Sequence, residues 1–200
     1  MSTQKTKSIP DLSITSIKYL EAISQGNDYF KSWQYNVADH LKSKSVDEIK
    51  LYLKSTALPF SICMENWISD FNFSSLVRNA NGFNAKEVFY IGNRKFDRRG
   101  CMGTHNYISV NWLSSFDELL KLKEKYVFVG VDNINGSKEL PKYKWAPNSL
   151  MILGSEDVGL TQPIIDICDD IVSIPMLGSV RSYNAACASM AVMYDYYSKL

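Results

Sequence analysis

Five short apolar runs, four to six residues long and separated by stretches of helical texture, constrain this chain more than any other feature. Pro59–Met64, Val88–Ile91, Tyr126–Val131, Leu150–Leu153 and Ile171–Ile174 read as buried strands. Between and after them, Ser74–Phe83, Ser114–Lys125, Thr161–Cys168 and Ser182–Lys199 read as helices. In the last, Ser182 is a suitable N-cap, and Ala185, Ala186, Ala188 and Ala191 leave a small-residue face that can approach a neighbour closely. Strand-helix alternation of this kind predicts an α/β fold, a mostly parallel sheet with helices on both faces.

Residues 1–57 have a different texture. Ile14, Ile17, Leu20 and Ile23 recur at three-residue spacing, and Ser45-x-x-Glu48 ahead of Ile49 and Leu51 has the form of a capping box. The expectation is an N-terminal helical extension over residues 1–57 and a main domain over residues 58–200. A 200-residue chain with 46% hydrophobic residues can bury a full core, since chains of this size hide roughly 70% of their unfolded surface.

Charge and cysteine usage narrow the function classes. Lysine plus arginine (22) nearly cancels aspartate plus glutamate (21), so any grip on nucleic acid must come from a local patch. The cysteines at 63, 101, 168 and 187 form no C-x-x-C pair and have no histidines at ligand spacing. That disfavours a zinc site or a disulfide framework and predicts reduced thiols and no metal. The first ten residues are polar, and no window reaches the run of 18 or more apolar residues that a membrane span requires. A soluble, cytoplasmic protein with no membrane partner is expected.

Neither G-x-G-x-x-G nor G-x-x-x-x-G-K-[ST] occurs, which counts against a conventional dinucleotide fold or a phosphate-loop ATPase. Gly154, Gly159 and Gly178 instead lie just past predicted strand ends, where open α/β sheets place ligands. A ligand site in the C-terminal third is implied. Arg94-Lys95-Phe96-Asp97-Arg98-Arg99-Gly100, followed by Thr104-His105, is a basic run with an aromatic residue inside it, suited to phosphate contacts and base stacking.

Three ordered segments carry a family likeness. The first is Asn72-Phe-Ser-Ser-Leu-Val-Arg78-Asn-Ala80-Asn-Gly-Phe83. The second is Leu153-Gly154-Ser155-Glu156-Asp157-Val158-Gly159-Leu160, and the third is Ile174-Pro175-Met176-Leu177-Gly178-Ser-Val-Arg-Ser182-Tyr183-Asn184. In this order they resemble the three motifs of the SpoU (TrmH-like) branch of the SPOUT RNA methyltransferases, over residues 72–188. Two positions depart from the usual pattern: Asn84 stands where a glycine commonly follows the phenylalanine, and Tyr183 replaces a frequent leucine.

The resemblance implies methyl transfer from S-adenosylmethionine to a ribose 2′-hydroxyl of RNA, on transfer RNA in preference to ribosomal RNA for a chain of this size. It also implies a C-terminal deep trefoil knot, a rare exception to topology rules, and an obligate homodimer. Leu153, Gly154, Ser155, Gly159, Ile174, Met176, Gly178, Ser182, Tyr183 and Asn184 would form the cofactor site. There Gly154 and Gly178 would let backbone approach the adenine, because a Cβ would intrude and glycine tolerates positive φ. Asn72, Arg78, Glu156, Ser182 and Asn184 would form the catalytic set, with Arg78, permanently charged, clamping phosphate and stabilising a developing alkoxide rather than abstracting a proton. Arg94, Lys95, Arg98, Arg99 and His105 would hold RNA. A catalytically silent RNA- or cofactor-binding relative is the alternative, which retention of the five catalytic residues together disfavours.

Overall fold

A computed structural model describes residues 37–67 and 71–200. Contacts along the chain gather residues 1–42 into one compact unit and residues 43–200 into another. Of the first, the described part contains a single 3-10 turn, Asp39–Leu41. The isoleucine and leucine pattern at residues 14–23 lies outside the described residues.

The second unit begins with helix α1 (Val46–Thr56). Its capping box forms as the spacing predicts: the Glu48 N–H donates to Ser45 Oγ (3.3 Å), and the Ser45 N–H donates to the Glu48 carboxylate (2.8 Å). Then follow β1 (Phe60–Asn66), α2 (Phe71–Gly82), β2 (Val88–Gly92), β3 (Val110–Leu113), α3 (Phe116–Lys121), β4 (Val127–Val131), β5 (Lys138–Glu139), β6 (Ser149–Leu153), α4 (Gln162–Ile167), β7 (Asp170–Ser173) and α5 (Ala185–Ser198). The seven strands make one sheet in the order β3-β2-β1-β6-β4-β7-β5, with every paired neighbour parallel.

Two-residue periodicity divides the core into two layers. Phe60, Ile62 and Met64 of β1 and Met151 and Leu153 of β6 face α2 and α5, where Phe73, Leu76, Val77, Val192, Met193 and Tyr196 meet them. Cys63, Phe89, Phe128, Leu150 and Ile152 point the other way, onto Leu119 of α3 and Ile164 of α4. Burial of each large side chain contributes about 1.5–3 kcal/mol. This two-sided burial is why the strands read as unbroken apolar runs rather than alternating ones.

The five expected strands and four main-domain helices all appear, with shifted ends. Two strands have no counterpart among the apolar runs: β3, which carries polar Asn111 and half-exposed Trp112 at the sheet edge, and the two-residue β5. The last helix starts at Ala185 and is capped by Asn184, whose Oδ1 accepts from the Ala186 and Cys187 N–H groups (3.0 and 3.3 Å). Ser182 is therefore not its cap, as the sequence led us to expect; it lies three residues ahead in an exposed segment. Asn84, in the family's glycine position, has φ +50. Asparagine tolerates this left-handed conformation better than other side chains, and its amide donates to Thr56 Oγ1 at the end of α1 (2.9 Å).

All strands run the same way, so their carboxyl ends lie along one edge. After β1 the chain turns toward β2; after β6, β1's other neighbour, it turns toward β7. Such a divergence opens a crevice between adjacent strand ends.

Candidate functional site

The loop leaving β6 is folded tightly on itself. Ser155 and Gly159 form an antiparallel bridge, with the Gly159 N–H donating to Ser155 O (2.9 Å). A Cβ on Gly154 would lie 1.9 Å from the Gly159 carbonyl carbon, so only glycine allows the loop to close. Gly159 has φ +72. The positive φ expected at Gly154 and Gly178 occurs at neither. Gly154 makes room for the loop's own backbone, the left-handed conformation belongs to Gly159, and Gly178 stands in open space, where a Cβ would meet nothing within 4 Å.

Two carboxylates from the strands flanking β6 clasp the loop's far end. Asp132, just past β4, accepts from the Leu160 N–H (2.8 Å) and the Asn133 N–H (2.7 Å). Glu65, on β1 and only 1% exposed, accepts from the Thr161 N–H (2.8 Å), the Thr161 hydroxyl (2.7 Å) and the Trp67 indole (3.1 Å). Neither acid was among the expected site residues. A glutamate inside an otherwise buried strand is the one signal that could have exposed Glu65, because such a residue is almost never buried without partners.

Beside this loop lies a cavity of about 540 Å³. Its walls are the loop after β4 (residues 131–134), the loop after β6 (153–160) and parts of the segment after β7 (174 and 181–188). Of the expected cofactor residues, Leu153, Gly154, Ser155, Gly159, Ile174, Ser182 and Tyr183 line it, whereas Met176, Gly178 and Asn184 do not. Ser155 Oγ is buried without a hydrogen-bond partner among the described residues. A buried orphan hydroxyl in a cavity wall is costly unless something enters to satisfy it.

At the cavity lip, residues from all three motif segments meet. The Asn72 amide donates to Glu156 Oε2 (2.8 Å), the Asn184 amide donates to Asn72 Oδ1 (2.7 Å) and to Glu156 Oε2 (3.2 Å), and the Ala185 N–H donates to the same Glu156 oxygen (3.0 Å). Glu156 thus sits on the N-terminus of α5, where the unpaired N–H groups and the helix dipole favour an anion. This polar knit ties α2, the β6 loop and α5 together. A second knit lies deeper, where the Asn79 amide on α2 donates to Ala186 O (3.0 Å) and Ser189 Oγ (3.1 Å) on α5.

Arg78 does not join the cluster. It lies further along α2, exposed, and makes no ion pair or hydrogen bond among the described residues. The basic run also divides. Arg99 is held by Asp97, whose carboxyl the Arg99 hydrogen bonds keep below the usual range, so its charge is largely compensated. Arg94 lies over the Trp112 ring (5.1 Å to its centroid), and Arg98 over Phe96 (6.0 Å). His105 is partly buried in a 3-10 turn, and burial followed by the charge of Arg98 favours its neutral form. No group of three or more His, Cys, Asp or Glu able to hold a metal occurs among the described residues, and no helix there is long and apolar enough to cross a membrane.

Residues 59–194 match the sequence pattern of the SpoU rRNA Methylase family, well over half of the chain. The chain belongs to the SpoU family. Among its curated relatives is the tRNA (guanosine(18)-2′-O)-methyltransferase of Escherichia coli (strain K12), 23% identical over 140 residues, which are 68% of this chain and 61% of that protein. Another is the 23S rRNA (uridine(2479)-2′-O)-methyltransferase of Streptomyces viridochromogenes, 38% identical over 69 residues, which are 34% of this chain and 24% of that protein. The chain thus spans about a quarter of one of these relatives and three fifths of the other. Two SpoU structures share the fold. The A. aeolicus TrmH/SpoU tRNA modifying enzyme has a TM-score of 0.67 at 18% identity, covering 77% of this chain and 83% of that one. The SpoU methyltransferase AviRb from Streptomyces viridochromogenes in complex with AdoMet has a TM-score of 0.64 at 24% identity, covering 71% and 58%.

Proposed function

We propose that this SpoU protein transfers a methyl group from S-adenosylmethionine to a ribose 2′-hydroxyl of RNA. The observation that carries the reading is the Asn72–Glu156–Asn184 cluster, in which side chains from three separated motif segments meet at the lip of one cavity. Polar groups brought together from distant parts of a chain beside a cavity are the usual mark of a site.

The cavity suits the cofactor. Its volume falls in the roughly 300–1,000 Å³ range of small-molecule sites, Leu153, Ile174 and Ala188 offer apolar surface, and Ser155 offers an unpartnered hydroxyl. When bound, S-adenosylmethionine supplies an electrophilic methyl group on a sulfonium sulfur. The residues of this chain then have three tasks. The β6 loop and Tyr183 hold the small molecule. Glu156 fixes Asn72 and Asn184 through one oxygen, so these amides present defined donors and acceptors to the ribose. Arg78, a permanent cation that pairs with no carboxylate among the described residues, grips RNA phosphate and steadies charge developing on the 2′-oxygen. Holding that oxygen in line with the methyl group is worth several kcal/mol.

Three further family properties belong to this reading. A knotted C-terminus is supported by the path after β7, which lines the same cavity as the β6 loop before α5 packs against α2. A homodimer is supported by Met190, Tyr194 and Tyr197, exposed on one face of α5. RNA contact is supported by Arg94, Lys95 and Arg98, and transfer RNA is the substrate to try first. Calorimetric titration with S-adenosylmethionine and S-adenosylhomocysteine tests the reading without knowledge of the RNA, and binding at about one per chain or one per pair of chains is expected. Absence of binding, with and without added transfer and ribosomal RNA, overturns it in favour of a silent relative.

A further inference from the structure

We infer that Trp67 and Trp112 form a base-stacking subsite that receives unpaired nucleotides of an RNA strand, with Arg94, Lys95 and Arg98 as its cationic rim. The inference rests on the RNA reading above and adds how the strand is presented.

The two indoles meet at Gly92, the last residue of β2. Trp112 on β3 donates its Nε1–H to Gly92 O (3.1 Å). A Cβ on Gly92, which has φ +103, would fall 3.0 Å from Trp67 Cε3, so the Trp67 ring lies directly against the same glycine. Trp67 donates its Nε1–H to Glu65, and its carbonyl accepts from the Asn93 amide. Each ring is thus pinned by its polar edge to the carboxyl end of the sheet. Even so, Trp67 remains 48% exposed and Trp112 36% exposed. Core filling does not account for pinned indoles that keep this much surface open, with Arg94 over one face of Trp112.

The surrounding charge selects the ligand. Arg94 lies over the Trp112 ring, and no carboxylate pairs with Arg94, Lys95 or Arg98 among the described residues. Arg94 beside Trp112, with Lys95 next to it in the chain and Arg98 over Phe96 further along the same loop, suits a single strand, whose phosphates meet the cations while a base stacks on an indole. Duplex RNA keeps its bases stacked internally and offers these rings nothing but its backbone. The subsite is also joined to the reaction cleft, because the Glu65 carboxylate that holds Trp67 also holds Thr161 at the end of the β6 loop.

The test uses the full chain and two labelled probes: an oligouridylate of about 12 nucleotides, within the roughly 4–16 nucleotides such sites occupy, and an RNA duplex of similar length. Binding is followed by anisotropy for the wild type, Trp67→Leu, Trp112→Leu, Trp67→Phe and Trp112→Phe. The single strand is expected to bind at least about tenfold tighter than the duplex. Each leucine variant should weaken single-strand binding about 5-fold or more, the loss expected for a stacked base, and each phenylalanine variant should recover most of it by restoring a ring without the N–H. Thermal unfolding and S-adenosylhomocysteine titration of the same variants report on fold and cofactor cleft. Leucine variants that keep wild-type unfolding and wild-type single-strand affinity overturn the subsite and leave the methyltransferase reading intact. Equal losses for strand and duplex also overturn it, since stacking cannot act on a closed helix. If the wild type binds neither RNA but binds an acidic polypeptide such as polyglutamate, both this inference and the RNA reading fail, and the patch serves a protein.

Discussion

Replacing Glu65 by glutamine removes the charge from a carboxylate that is 1% exposed and serves three donors. The amide keeps one oxygen, which can stay on the Thr161 N–H; its NH₂ group then faces the Trp67 indole N–H, another donor. Hydrogen bonds to a charged group contribute about 1.5–3 kcal/mol each, and a buried donor left unpaired costs about 1–3 kcal/mol. A neutral acceptor recovers part of this, leaving a net loss of about 3 kcal/mol. For a chain of this size each kcal/mol lowers Tm by roughly 2–4 °C, so a fall of roughly 6–12 °C is expected in a thermal melt. Any part of the loss that a ligand must restore by re-seating the β6 loop appears as weakened binding, tenfold for about 1.4 kcal/mol. S-adenosylhomocysteine titration reads that part directly. Asp132→Asn is the graded comparison, because one of its two donors, the Asn133 N–H, is in an exposed setting where water can replace the acceptor; it should cost less. Unchanged Tm and unchanged affinity in Glu65→Gln would refute the role of this carboxylate in holding the loop.

Arg78→Ala should leave Tm and cofactor affinity near wild type, since Arg78 is exposed and unpaired among the described residues, while methyl transfer to RNA falls by about 10²-fold or more; wild-type turnover would remove it from the reaction. Gly154→Ala places a Cβ 1.9 Å from backbone that cannot yield, so both Tm and cofactor binding should fall; a variant that binds normally would show that the loop does not close as described. Asp169 gives an acid-side prediction. Burial raises its carboxyl, but the Lys123 hydrogen bond (2.9 Å) and the Phe128 N–H (2.8 Å) outweigh that and leave it lowered. A depressed carboxyl contributes stability above its unfolded value, near pH 4, that is lost as pH falls through the lowered one. Melts of Asp169→Asn below about pH 4 should therefore show a shallower acid dependence than wild type, and parallel curves would contradict the assignment.

The layered sheet was legible because the central strands are buried on both faces, so Val88–Ile91 or Leu150–Leu153 announces itself without a partner. Trp112 and Asn111 hid β3, because an edge strand with one wet face carries no such run. Sequence placed Asn72, Glu156 and Asn184 together through their motifs, and the structure joins them by direct hydrogen bonds. It gave no means to choose between Ser182 and Asn184 as the cap of α5, since both residue types cap well and the choice falls to whichever side chain reaches the first N–H groups. The clasp of Glu65 on Thr161 spans 96 positions in sequence, and only the parallel order of β1 beside β6 brings them together. The positive φ expected at Gly154 and Gly178 belongs to Gly159 instead, because sequence alone does not say which glycine of a loop takes the left-handed turn.

The closed form of residues 154–160 has a consequence for ligand thermodynamics. Fixing a residue's backbone costs about 1–2 kcal/mol of conformational entropy, so a loop of this length that ordered only around its ligand would subtract on the order of 10 kcal/mol from the association energy. Here the Gly154–Gly159 contact and the two carboxylate clasps supply that order from the chain's own groups. On that side of the cleft a small molecule meets a wall held by the chain's own bonds, so less of its association energy goes into ordering these residues.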